Sequence, residues 1–132
     1  MNDAQPPAAS VASRIVAAIA VLGVHFVTLI LAIVVLCSVV PKYVKFFEQG
    51  EIELPVMTQQ LIRLSWSAIS YWYLIVFFGM VIDAAVVALL TFAAKRKGLL
   101  SFYSHLWLLA VIFFLTWVSI ALCVPIYALT DG

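Results

Sequence analysis

Three long apolar stretches leave this chain few ways to fold. The first, Ile15 to Val40, runs about 26 residues without an acidic or basic charge, which at 1.5 Å per residue is about 39 Å of helix against a hydrocarbon core of about 30 Å. The second, Trp72 to Ala94, contains one carboxylate, Asp83, and is closed by Lys95-Arg96-Lys97-Gly98. The third, Leu99 to Leu129, carries Tyr103, His105 and Trp107 near its start and Pro125 and Tyr127 near its exit. Inside a bilayer the backbone must satisfy its own hydrogen bonds segment by segment, so the expectation is an all-α membrane protein of three transmembrane helices. A composition of 67% hydrophobic and 10% charged residues agrees, since soluble domains carry about 25% charged residues.

The first apolar run is far longer than the roughly 7 to 15 residues of a signal-peptide core, so it reads as a membrane span. Met1 to Ser13, with Pro6-Pro7 and no hydrophobic periodicity, reads as a flexible leader. The expected spans are therefore about 15–40, about 72–94 and about 102–127 within one membrane domain, with the loop 41–70 between the first two. Pro41 is expected to limit the first helix, because the residue before a proline is pushed from the helical region. Lys42 to Gly50 suits a short amphipathic helix lying at the interface, with Tyr43, Phe46 and Phe47 turned to lipid. Gly50 then stops it, and Pro55 suits the first turn of the next helix.

Orientation follows from charge. With three spans, Arg14 and the cluster Lys95, Arg96, Lys97 share one side, and Lys42, Lys45 and Arg63 share the other. The compact cluster at the helix ends predicts a cytoplasmic N-terminus and an extracytoplasmic loop.

Within that loop, Val40-Pro41, Tyr43, Phe47, Gly50, Leu54-Pro55-Val56-Met57-Thr58, Ser65 and Trp72 form a pattern that resembles the type II secretion F protein family, the inner-membrane platform family shared with type IV pilus assembly. The exit at Pro125-Ile126-Tyr127 is similar to that family's C-terminal end. The resemblance implies a non-enzymatic scaffold in a bacterial inner membrane, with other secretion or pilus proteins as partners. Family members also carry helical cytoplasmic domains that contact the assembly ATPase. This chain offers only Met1 to Ser13 and the Lys95 to Gly98 turn in their places, so the resemblance carries over no ATPase-binding residue and leaves that contact open.

Asp83 is the acidic residue inside a span, where a carboxyl is costly unless paired or neutralised. Counting inward from Arg14 and from Lys95, His25 and Asp83 lie at matching depths of about 16 to 18 Å, so antiparallel packing of the first two spans would pair them. Such a pair reads first as a clasp between helices, then as an oligomer contact, and last as an ion route. Gly23, Thr28, Gly79 and Ala84 would permit the close approach.

Other chemistry has little to stand on. A net charge of +1 offers no basic stripe for nucleic acid, and no nucleotide-loop or zinc-finger spacing occurs. His105 with Ser101 or Ser104 is the best catalytic set that can be assembled, and it lacks an acid. Glu48, Glu51 and Glu53 read as a solvated acidic turn rather than a metal site, so no enzyme activity, metal or cofactor is expected. Cys37 and Cys123 read as two free thiols packed as small apolar side chains, with a link between them left open. Two functions remain: a membrane scaffold in contact with lipid and partner proteins, or a small transport subunit that oligomerises around Asp83 and His25.

Overall fold

A computed structural model describes residues 11–93 and 98–130, with side chains through Tyr127. The basic cluster Lys95, Arg96, Lys97 and residues 1–10 of the expected leader lie outside the described residues. Helix α1 (Val11–Val34) begins within the expected leader and passes through a π-helical turn (Val35–Val39) into α2 (Val40–Gln49). Helix α3 (Val56–Ala88) likewise ends in a π turn (Leu89–Ala93), and α4 spans Leu99–Thr130. The described residues form no strand, and three apolar helical spans, Val11–Gln49, Val56–Ala93 and Leu99–Tyr127, make this a multi-pass membrane protein.

The first two spans contain 39 and 38 residues, about 57 Å each at 1.5 Å per residue. That is nearly twice a hydrocarbon core of about 30 Å, so these helices must extend beyond it. The stretch 41–70, expected as a loop holding a short amphipathic helix and the first turns of the next, is helical and continuous with the spans on both sides, with only a short connection between Gln49 and Val56.

Pro41 does not end the first helix. Its ring would clash with the carbonyl four residues back in an α-helix, and the chain accommodates it by widening the preceding turn, so that the Val40 N–H bonds to Val35 O. Proline then occupies the first turn of α2, where a missing N–H is tolerated best.

Helix α2 is closed by two reversed hydrogen bonds, Glu51 N–H to Glu48 O (3.4 Å) and Ile52 N–H to Phe47 O (3.3 Å). This is a Schellman closure. Its left-handed position is Glu51, with φ of 50°, whereas Gly50 keeps a right-handed φ of −89°. Gly50 serves a different need: a Cβ there would stand 3.0 Å from the Ile52 side chain.

The closure folds Ile52 back onto Phe47, and both join an apolar core at the connection end with Leu36, Val40, Leu61, Ala68, Val118, Ala121 and Leu122. Phe47 is therefore not lipid-facing as its amphipathic setting suggests, being 1% exposed, while Phe46 keeps 51% of its surface outside. On α3 the buried positions Thr58, Leu61, Ser65 and Ala68 alternate spacings of three and four, the seam of a left-handed helix packing. The seam stops at Tyr71, where φ −127° and ψ 18° kink the helix. Beyond the kink the buried positions are Asp83, Val87 and Thr91.

Candidate functional site

Two polar layers stitch the helices together, one toward each end. In the layer nearer the N-terminus, His25 of α1 is fully buried and Asp83 of α3 is 2% exposed. The His25 Nδ1 lies 3.0 Å from both carboxylate oxygens of Asp83. The Tyr103 hydroxyl, from α4, donates to the same carboxylate at 2.7 Å. Tyr103 and a protonated Nδ1 both approach as donors, so the carboxylate is the common acceptor for all three helices.

Trp107, one turn after Tyr103, lays its indole against the imidazole with ring centres 4.7 Å apart and planes 18° from parallel. Its Nε1–H donates to Thr28 Oγ1 at 3.0 Å, and that hydroxyl in turn donates to the Val24 and His25 carbonyls. The far ring nitrogen of His25, Nε2, is buried with no hydrogen-bond partner among the described residues. With the proton on Nδ1, this atom presents only a lone pair, which leaves less unsatisfied than a buried N–H would.

The layer at the connection end is built on two prolines. Pro125 sits inside α4 and cannot donate to Ala121, so the Ala121 carbonyl loses its helical partner. The Thr58 hydroxyl takes that place at 2.7 Å. In the widened turn before Pro41, Leu36 O faces the position of the missing proline N–H, one residue on from the Val40 to Val35 bond. The Ser65 hydroxyl donates to it at 2.6 Å. Thr58 and Ser65 are two turns apart on one face of α3, so this helix supplies a hydroxyl to each neighbour where proline has opened a carbonyl. Apolar surroundings make that bond valuable, because a buried unpaired carbonyl costs about 1 to 3 kcal/mol.

The remaining residues singled out in the sequence scatter by role. Phe47, Leu54, Thr58 and Ser65 are buried or half-buried at the connection end, Pro41 is half-buried at the start of α2, Pro55 caps the start of α3, and Tyr43 and Trp72 are exposed. Gly23 meets nothing within 4 Å of an added Cβ and so is not a close-approach site, whereas Gly79 lies 3.4 Å from Leu29 by the same measure. Cys37 and Cys123 are both free. His105 Nδ1 stays 2.6 Å from the Ser101 carbonyl of its own helix and meets no acid among the described residues. Glu48, Glu51 and Glu53 are exposed, and no group of metal-ligating side chains forms among the described residues.

Sequence reasoning noted Tyr103 and Trp107 only as residues near the start of the third span and missed their part in this layer. Their spacing of four residues puts them on one helix face, and each has an apolar body with a polar tip, the form best suited to cover a buried polar pair. In comparisons with known proteins, the chain matches no family model, no curated protein and no solved structure.

Proposed function

We propose that this protein is a non-enzymatic membrane scaffold that works by contact, presenting the helical unit at its connection end to partner proteins. The observation that carries this reading is the pairing of Thr58 with Ala121 O and of Ser65 with Leu36 O. These bonds tie α3 to both neighbours at the connection end, the Ser65 bond just inside the end of the first apolar run, and they give that end a fixed shape. A rigid surface suits docking more than it suits turnover.

The inner polar layer fits the same reading. His25 and Asp83 point into the bundle of a single copy and are closed over by Tyr103 and Trp107, an arrangement that fastens helices. A transport subunit oligomerised around those two residues would first have to unpack all three helices.

The resemblance of Pro41, Leu54-Pro55, Thr58 and Ser65 to the secretion F family gives the scaffold its proposed setting, a bacterial inner membrane with the N-terminus in the cytoplasm and the α2–α3 connection outside. Its partners there would be secretion-type or pilin-like membrane proteins. Extraction in mild detergent and affinity purification test this. Stoichiometric co-purification of such proteins supports the reading. A homo-oligomer alone, with ion flux in liposomes, would replace it with the transport reading.

A further inference from the structure

Between α2 and α3, at the connection end, a cleft of about 220 Å³ is lined by Pro41, Val44, Lys45, Glu48, Trp66 and Ile69, with Ser65 at its floor. Its walls are apolar, and its mouth carries one cation and one anion. Lys45 and Glu48 are three residues apart on α2 and both exposed, which sets their stems about 5 to 6 Å from each other on one face. Neither forms an ion pair among the described residues.

The level of the cleft narrows its occupant. The apolar run of the first span ends at Val40, next to the cleft's Pro41. On α3 the outward-facing Trp66, Tyr71, Trp72 and Tyr73, each 51 to 63% exposed, form the kind of aromatic girdle that sits among lipid headgroups. The cleft therefore opens into the headgroup layer, where its apolar walls meet the top of an acyl chain and its charged mouth meets what lies above.

We propose that this cleft holds the headgroup of a zwitterionic phospholipid with a primary amine, a phosphatidylethanolamine. The phosphate would lie against the Lys45 ammonium, and the lipid's own ammonium, one short ethylene bridge away, against the Glu48 carboxylate. Charge complementarity decides among lipids. A phosphatidylglycerol would meet Lys45 equally well but, with a neutral glycerol in place of the ammonium, would bring no cation to Glu48 and leave its phosphate charge beside that carboxylate uncompensated. A phosphatidylcholine matches the charges, but its quaternary ammonium has no N–H to donate to the carboxylate. This assignment does not depend on the scaffold reading.

Native mass spectrometry of the full chain, released from micelles doped with equal amounts of the three lipids bearing identical acyl chains, tests the proposal. The expected result is retention of phosphatidylethanolamine about fivefold over either competitor, the discrimination that one partly exposed ion pair can supply. Glu48→Gln should abolish the preference over phosphatidylglycerol, and Lys45→Ala should lower retention of all three lipids. Lys42→Ala, an exposed change outside the cleft, should do neither. Equal retention of the three lipids, or a preference that survives both Lys45→Ala and Glu48→Gln, overturns the assignment.

Discussion

At the scale of single residues, the fold depends on hydroxyls placed opposite prolines. If Thr58 serves the carbonyl that Pro125 opens, Thr58→Val should destabilise the protein by about 1 to 3 kcal/mol, since the isosteric change removes only the donor. In a Pro125→Ala background the helix regains its own N–H for Ala121 O, and the same Thr58→Val change should cost well under half as much. Detergent-unfolding curves of the four proteins of this cycle measure the coupling. Equal costs in both backgrounds would show that the hydroxyl does not serve that carbonyl. The inner layer makes a second prediction. Asp83→Leu removes the acceptor shared by His25 and Tyr103 and should lower stability by about 2 kcal/mol, while Asp83→Asn, which keeps one carbonyl oxygen for Nδ1–H, should lower it less. The same unfolding assay checks that order.

How much of these residues' roles the sequence reveals depends on whether a role is local. The depth match of His25 and Asp83 can be counted from the chain because helical rise is constant, and the side chains do meet. The parts of Tyr103 and Trp107 depend on how α4 is rotated about its axis. An apolar helix bordered by lipid and by other helices carries almost no periodic signal to reveal that rotation. Phe47 was misleading for a related reason, since an amphipathic helix can lay its apolar face on protein as readily as on lipid.

At the scale of elements, the three spans follow directly from the apolar runs, but the joints between them do not. Pro41 predicts a helix end, and the structure instead widens one turn and continues, an outcome made affordable by Ser65, whose hydroxyl reaches Leu36 O 29 residues away in the chain. Gly50 is expected to stop α2 and does stand at its C-cap, but the left-handed residue of the closure is its neighbour Glu51, while a Cβ at position 50 would crowd Ile52. That arrangement leaves a non-glycine residue in a conformation costing about 1 to 2 kcal/mol. Glu51→Gly should therefore stabilise the protein by about 1 kcal/mol, whereas Gly50→Ala should destabilise it by forcing Ile52 off Phe47. Thermal unfolding of the two variants distinguishes these outcomes, and stabilisation by Gly50→Ala would contradict the assignment. A comparable contrast holds for the aromatics of α2: Phe47→Ala should cost about 3 to 5 kcal/mol as a core truncation, and Phe46→Ala a small fraction of that.

At the scale of the whole molecule, two stitched layers hold three helices and fix the shape of the connection end, which in the proposed scaffold holds other proteins. A photo-crosslinking amino acid at Glu53, exposed on the short connection between α2 and α3, probes that role in native membranes. The expected result is a discrete crosslink to a membrane protein of secretion or pilin type, weakened by Thr58→Val while the chain still inserts, because the apolar spans suffice for insertion. Crosslinks only to copies of the same chain, unchanged by Thr58→Val, together with ion flux through the purified protein in liposomes, would contradict it.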